Sequence, residues 1–349
     1  MKLTKTELVA AMKDLKKVAT GSKSKRDYFH VLNNTLVYSD DDLTVIKKVS
    51  EKMEGDALAI PFKQFNALLT KSKAQTVEFE KTDNHTVVTF GKNAVSYEKI
   101  ESKPQYLKEL DNRFNINFND FKELFNSVLY ASGTQESRPI LKGVRVALKD
   151  NKINAAATDS HRLATNEIEL KHEFDNEIVI RSKELKKVLT MDFKEKITVS
   201  YDDNFINITD GETTAQIKLL EGYYPSIDRL IPQSSATQIT VNRLKLIEAL
   251  EMIIVFNKDN EQDAAYIQTD FKHLLYSLNK KDGTALNSDL NAKIDGDELN
   301  IMFNPNYLLE ALKNATGELV RLEFTQPIRP FTIKGDDTTL HLVTPMRMH

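Results

Sequence analysis

The chain of 349 residues contains no cysteine. This absence excludes a disulfide scaffold, an iron–sulfur cluster, a thiolate zinc site and a cysteine nucleophile. Glycine is scarce, and its 11 residues never form a GxG pattern; GxxxxGK[ST], HExxH and GxSxG are also missing. The sequence therefore lacks the motifs of common nucleotide-binding, metallohydrolase and serine-hydrolase sites. We expect no cofactor, no metal site and no catalytic residue.

Long apolar runs and a charge imbalance are missing as well. The longest apolar runs, such as Met252 to Phe256, have about five residues, far fewer than the roughly 20 of a membrane-spanning helix. The segment from Met1 to Lys5 lacks the apolar region of a signal peptide. Forty-eight basic and 51 acidic side chains leave a net charge of −3, so the whole chain has no nucleic-acid-like charge. We expect a cytoplasmic globular protein with no membrane partner.

A unit of strand, short helix, strand and turn occurs three times. Its helices are predicted at Pro61 to Ser72, Ser182 to Met191 and Pro305 to Ala315. Equivalent apolar positions in the three helices are Phe65, Leu185 and Leu308, then Leu69, Leu189 and Leu312. A turn glycine follows each unit at Gly91, Gly211 and Gly335. Agreement at independent landmarks indicates an internal repeat.

Each repeat also opens with a longer amphipathic helix, which in the third repeat begins after the capping residue Asn242. Alternating strands lie between the two helices. The pattern predicts an α+β class, with three tandem copies of a two-helix unit on an antiparallel sheet. The predicted domains are residues 1–111, 112–234 and 235–349.

Basic residues are concentrated near the start of the chain, although the net charge of the whole chain is slightly negative. Residues 1–26 contain eight basic and two acidic side chains. Outward lysines on helices that share one wall would form a phosphate-facing surface that is independent of DNA sequence. Simple solvation is an equal explanation for any single lysine. The lysines predicted to face DNA are Lys13, Lys17, Lys63, Lys183 and Lys187.

Helix spacing limits how such units could surround a duplex. At 8–10 Å per helix, six helices enclose a hole that is too narrow for double-stranded DNA, whereas twelve leave roughly 28 Å. A ring on DNA therefore requires two chains, and a closed two-fold dimer is the commonest symmetry.

Five local sequences resemble the bacterial DNA polymerase III beta subunit family, the sliding clamps, and they occur in family order. The matching segments begin at Arg138 (RPILKGV), Ala157 (ATDSHRLA), Glu221 (EGYYPSIDRLIP), Phe303 (FNPNYLL) and Thr344 (TPMR). The resemblance implies a clamp fold and a head-to-tail homodimeric ring around double-stranded DNA. It also implies a non-catalytic processivity subunit, which tethers the replicative polymerase and the clamp loader.

In that family, partners insert short peptides with a glutamine, a leucine and an aromatic residue into a cleft between the second and third domains. The resemblance places this cleft at Leu141, Thr158, Ser160, His161, Arg162, Leu163, Pro225, Arg229, Leu230, Ile328, Pro330, Leu342, Thr344, Pro345, Met346 and Arg347. It adds Arg26 and Gln135 to the residues that face DNA, and it assigns Val255 and Phe256 to the dimer interface.

Three positions depart from the family pattern. Ser160 stands where a glycine is usual, Thr344 replaces a methionine, and His349 extends the usual end by one residue. These differences predict a changed partner preference.

Two other functions stay open at this point. The chain could be a clamp-like peptide-binding scaffold that does not load on DNA by itself. Asp159 and His161 could also serve a hydrolase, although adjacent residues of an extended segment point to opposite faces and do not form a catalytic relay.

Overall fold

The computed structural model describes residues 1–19, 28–52, 57–100, 107–172, 175–259, 264–269, 274–279 and 283–347. These residues form two compact units. Unit 1 consists of Met1–Lys122 and Ile180–Leu220, and unit 2 of Glu123–Val179 and Glu221–His349. The division into three domains stays a prediction.

The order of elements repeats three times along the chain. The first repeat contains β1 (Lys2–Thr4), α1 (Lys5–Ala19), β2 (Tyr28–Leu32), β3 (Thr35–Ser39), β4 (Leu43–Lys48), β5 (Leu58–Pro61), α2 (Phe62–Lys71), β6 (Thr76–Lys81), β7 (His85–Phe90) and β8 (Asn93–Glu98). The second contains β9 (Asn112–Asn117), α3 (Phe118–Leu129), β10 (Gly143–Lys149), β11 (Lys152–Thr158), β12 (Arg162–Glu169), β13 (Asn176–Arg181), α4 (Ser182–Val188), β14 (Lys196–Tyr201), β15 (Phe205–Thr209) and β16 (Thr213–Lys218).

The third repeat has the same order with one additional strand, β21. It contains β17 (Thr237–Asn242), α5 (Arg243–Phe256), β18 (Ala265–Gln268), β19 (Leu275–Leu278), β20 (Ala285–Ser288), β21 (Lys293–Gly296), β22 (Asn300–Phe303), α6 (Pro305–Asn314), β23 (Leu319–Phe324), β24 (Phe331–Lys334) and β25 (Leu340–Val343). Short 3₁₀ helices cover Pro139–Lys142 and Asn257–Asp259. The α+β class and the threefold repeat are thereby confirmed.

Within the part of the chain that the structure describes, two of the four sheets combine strands from successive repeats. In unit 1, β4 of the first repeat pairs with β16 of the second, within the order β5-β2-β3-β4-β16-β15-β14-β9. In unit 2, β12 of the second repeat pairs with β25 of the third, within the order β13-β10-β11-β12-β25-β24-β23-β17-β21. The other sheets are β1-β6-β7-β8 in unit 1 and β20-β19-β18-β22 in unit 2.

The apolar positions predicted for the helices are buried. In unit 1 the Phe65 ring lies 5.0 Å from Phe29 and 5.8 Å from Phe79. In unit 2, Leu308 and Leu312 of α6 join the core in which the Phe324 and Phe331 rings lie 4.9 Å apart. Burying each such side chain contributes about 2–3 kcal/mol, so these faces anchor the helices to their sheets.

Two details differ from the sequence prediction. Helix α4 ends at Val188 rather than Met191, because Thr190 and Met191 donate their N–H groups to carbonyls three residues back, as in a tight turn. Gly91 and Gly211 adopt positive φ angles of 63° and 88°, but Gly335 does not. Gly335 is needed for close approach instead, since a Cβ there would lie 2.3 Å from the Thr316 carbonyl oxygen. Among the described helices, none is long and apolar enough to cross a membrane.

Candidate functional site

Several of the predicted cleft residues of unit 2 lie where β12 and β25 pair. This antiparallel pairing places Arg162 opposite Val343 and Leu163 opposite Leu342. The Thr344 N–H continues the ladder by donating to the His161 carbonyl oxygen at 2.9 Å. Two segments about 180 residues apart in the chain therefore meet at one point.

A tight loop precedes β12 and shapes the rim of this region. The Thr158 hydroxyl donates to the Arg162 carbonyl oxygen at 2.6 Å, and the Asp159 carboxylate accepts the N–H groups of His161 and Arg162. Ser160 has a φ of +82°, a left-handed conformation that favours glycine. Its Oγ accepts a 2.6 Å hydrogen bond from Arg138 Nη1.

Arg162 lies between two tyrosine rings. Its guanidinium carbon is 5.4 Å from the Tyr130 ring centre and 5.0 Å from the Tyr307 ring centre, distances typical of cation–π contacts. The same guanidinium donates to Asp159 at 2.9 Å and to Glu310. Arg162 thus connects β12 to α6 and to the end of α3.

Tyr130 extends this network to a buried histidine. Its hydroxyl lies 2.9 Å from His341 Nδ1, and the two rings are tilted 5.7 Å apart. Burial raises the pKa of Tyr130 and lowers the pKa of His341 to about 4. Both groups are therefore neutral at pH 7, and their contact holds α3 against β25.

The structure places predicted cleft residues around two cavities of unit 2. Leu141, His161 and Arg162 line a cavity of about 250 Å³, together with Gln135 and Arg138. Arg229, Leu230 and Pro330 line a second cavity of about 630 Å³.

Other predicted cleft residues contribute to the floor or the rim. Leu163 and Leu342 are buried. The Thr158 N–H donates to the Tyr224 hydroxyl at 3.1 Å, which places Pro225 beside β11; burial raises the pKa of Tyr224 to about 12. Thr344, Pro345 and Met346 are half-buried, whereas Ser160, Arg347 and Ile328 are exposed.

Sequence reasoning did not assign Tyr130, Arg138 or Tyr307 to the site. Arg138 and Tyr307 lie inside the family-like segments, so their motifs already contained the signal. Tyr130 follows the last residue of α3 and contacts a histidine 211 positions later, which no local pattern indicates.

The lysines predicted to face DNA differ in their environments. Lys63 and Lys183 are exposed. Lys13 and Lys17 both donate to the Asp192 carboxylate, at 2.7 and 3.1 Å. These contacts lower the pKa of Asp192, the hydrogen bond from Lys13 most strongly. The ammonium nitrogen of Lys187 is buried, so this lysine offers no accessible charge.

Arg26 and His349 lie outside the described residues. Val255 is exposed at the end of α5, and Phe256 is half-buried.

The contacts of Asp159 and His161 do not form a hydrolase site. The carboxylate accepts the backbone N–H of His161, while the imidazole ring stacks on Tyr307 at 5.9 Å. Among the described residues, no three histidine or carboxylate side chains gather in a way that would hold a metal ion.

The chain is similar to known proteins over most of its length. The family model of the DNA polymerase III beta subunit matches in its central domain at residues 115–226 and in its C-terminal domain at residues 228–347, together more than half of the chain. The beta sliding clamp of Streptococcus pneumoniae is 29% identical over 335 residues, covering 90% of this chain and 88% of its own. The clamp of Bacillus subtilis is 29% identical over 336 residues, with coverages of 89% and 88%.

Solved structures show the same fold. The crystal structure of the Streptococcus pneumoniae DNA polymerase III beta chain superposes with a TM-score of 0.91 at 24% identity, covering 99% of each chain. The chain therefore belongs to the DNA polymerase III beta subunit family, and it is a DNA sliding clamp rather than an enzyme.

Proposed function

We propose that two copies of this sliding clamp close head to tail around double-stranded DNA. The closed clamp tethers a replicative polymerase and accepts a clamp loader through glutamine–leucine–aromatic peptides, which bind in the predicted cleft of unit 2. We place this activity in the cytoplasm and keep residues 1–111, 112–234 and 235–349 as its domains.

The pairing of successive repeats carries the proposal. Strand β4 pairs with β16, and the equivalent β12 pairs with β25. In the third repeat the strand equivalent to β4 and β12 is β20, and in the first repeat the strand equivalent to β16 and β25 is β8. Within the described residues, β8 and β20 each have a neighbour on one side only. In the proposed dimer, β20 of one copy pairs with β8 of the other, as β4 pairs with β16 and β12 pairs with β25 within one chain.

Helix α5 supports the same arrangement. Counted from the first residue of each long helix, the tenth residue is Asp14, Ser127 and Met252. The thirteenth is Lys17, Val255 and, directly after the end of α3, Tyr130. Lys17 and Tyr130 bind the following repeat, through Asp192 and His341 respectively. Met252 and Val255 are 53% and 63% exposed, as expected of residues whose following repeat belongs to another chain.

Light scattering across a dilution series tests the dimer. We expect a mass of about 80 kDa, twice the 39.8 kDa of one chain. Val255→Glu should give a monomer, because it places a charge in the apolar contact. The matched control is Leu244→Glu on the same helix, since Leu244 is 62% exposed and lies outside the predicted contact, and it should stay dimeric.

A monomeric wild-type chain at all concentrations would contradict self-closure and favour the non-loading scaffold. Encirclement of DNA is tested separately, by retention of the clamp on circular and linear DNA. A loaded clamp should stay on nicked circular DNA and slide off after linearisation, and equal retention on both would contradict the ring.

A further inference from the structure

The cavity of about 630 Å³ in unit 2 is built by two turns at one end of a sheet. Strands β17 and β23 pair antiparallel, with Thr237 opposite Phe324, and the Ala236 N–H donates to the Phe324 carbonyl oxygen at 2.7 Å. The segment before β17 and the turn after β23 therefore lie side by side. They enclose about 630 Å³, with Leu230, Ile231 and Pro330 among the apolar lining residues.

The charge of this cavity is of one sign. Among the described residues, Arg229 and Arg329 line it and no carboxylate does, although the whole chain has more acidic than basic side chains. Neither arginine has an ion-pair partner among the residues that the structure describes. The neighbouring Asp228 lines a different cavity, beside Arg145.

Both arginines are carried by hydrogen-bonded turns. The Arg329 N–H donates to the Gln326 carbonyl oxygen at 3.1 Å, and the Leu230 N–H donates to the Ile227 carbonyl oxygen at 2.9 Å. Pro327 lies within the turn from Gln326 to Arg329 and Pro330 follows it, and both restrict the backbone. Such a rigid turn loses little entropy when a ligand binds. Ile328, 77% exposed, adds apolar surface between the two prolines.

We propose that this cavity binds an acidic segment of the partner protein, adjacent to the peptide core that occupies the cleft. The inference rests on the proposed function, since Arg229, Leu230 and Pro330 also belong to the predicted cleft. The occupant is a peptide whose aspartate or glutamate side chains lie beside its apolar anchors. Arg229 and Arg329 bind those carboxylates, while Leu230 and Pro330 contact the neighbouring apolar groups.

Fluorescence anisotropy with three labelled peptides tests the proposal. All three contain a glutamine, a leucine and a phenylalanine in that order; one has two aspartates before this core, one has two after it, and one has serines at both ends. At low salt, one of the acidic peptides should bind the wild-type protein about fivefold more tightly than the serine peptide. The preference should fade as salt is raised, because the arginines are exposed.

Arg329→Gln should remove this preference and leave the affinity for the serine peptide unchanged. The matched control is Arg113→Gln, which removes the same charge from an exposed arginine of unit 1 and should keep the preference. Circular dichroism confirms that both variants fold.

The peptide measurements distinguish a failure of the acidic site from a failure of the proposed cleft. Equal binding of acidic and serine peptides overturns the acidic site and leaves the cleft standing, as does a preference that survives Arg329→Gln. Binding of none of the peptides contradicts the proposed cleft together with this inference.

Discussion

At the scale of single residues, Ser160 combines an unfavourable backbone with a useful side chain. Its left-handed conformation costs about 1–2 kcal/mol for a residue other than glycine. Its hydroxyl meanwhile holds Arg138 over the smaller cavity of unit 2. The family-typical glycine would remove the strain and also the hydrogen bond.

Substitution at Ser160 separates these two effects. Ser160→Ala keeps the strain and loses the hydrogen bond, so unfolding free energy should fall by about 1 kcal/mol. Ser160→Gly should be about 1 kcal/mol more stable than Ser160→Ala, the reverse of the usual order of these two residues. Urea unfolding at pH 7 checks the order, and an alanine variant that equals or exceeds the glycine variant would contradict it.

His341 predicts a pH dependence of stability. Burial lowers its folded pKa to about 4, below the ordinary histidine value of 6.5. The unfolded chain therefore takes up a proton that the folded chain excludes, and stability falls as pH falls from 6.5 towards 4, by up to about 3 kcal/mol. His341→Asn removes this titration. The difference in unfolding free energy between the wild type and the variant should therefore shrink as pH falls from 6.5 towards 4. A difference that does not change with pH, measured by urea unfolding, would contradict the assignment.

Residue roles were predictable from sequence where a local motif contained them. Ser160 was singled out because it occupies a glycine position, and the structure shows the corresponding positive φ angle. The Tyr130–His341 contact was not predictable, since it joins residues 211 positions apart.

At the scale of elements, two junctions join successive repeats: the first joins repeats one and two, and the second joins repeats two and three. Equivalent positions at the two junctions carry different side chains. At the first, the buried Asp14 carboxylate accepts from Lys47 at 2.8 Å, and Lys47 donates to Thr213 at 2.7 Å. At the second, Ser127 accepts from Asn166 at 3.1 Å, and Asn166 accepts from Thr338 at 2.7 Å. The first set is ionic and the second is neutral.

Replacing the ionic residues of the first junction by the neutral residues of the second tests whether the two junctions are equivalent. Asp14→Ser leaves the Lys47 ammonium without its buried carboxylate and should lower unfolding free energy by about 3 kcal/mol. Adding Lys47→Asn should restore at least about 1 kcal/mol, because the pair then has the neutral chemistry of Ser127 and Asn166. A double-mutant cycle in urea measures the coupling. A double variant that loses the sum of the single effects would contradict the equivalence of the junctions.

The helices and most strands were predictable because their apolar period is local. The end of α4 was missed, since Leu189 and Met191 continue the apolar pattern through a tight turn. The pairing of β4 with β16 was not predictable, because it joins strands about 170 residues apart and depends on contacts that neither strand encodes alone.

At the scale of the whole molecule, Asp192 limits the positive charge that the lysines predicted to face DNA can offer. Its carboxylate accepts hydrogen bonds from Lys13 and Lys17, so in the predicted DNA-facing role these lysines would have to exchange Asp192 for phosphate. The basic surface predicted from sequence is weaker than its lysine count indicates, and the buried Lys187 ammonium weakens it further.

Asp192→Asn should release these two lysines. We expect about threefold tighter binding to a short duplex at low salt, and a slope of log affinity against log salt that is steeper by about one. Asp203→Asn is the control, since it removes an equal charge from an exposed turn of the same unit. Equal effects of both variants would indicate a general charge effect rather than release of Lys13 and Lys17. Fluorescence anisotropy from 20 to about 200 mM salt measures both quantities.

The apolar character of Met252 and Val255 has a consequence for a working clamp. Salt screens the attraction between lysines and phosphates, but it does not weaken the burial of apolar side chains. In the proposed dimer, sliding along the duplex and closure of the ring therefore depend on different forces. In concentrated salt the clamp should diffuse faster along a circular template while the ring stays closed around it.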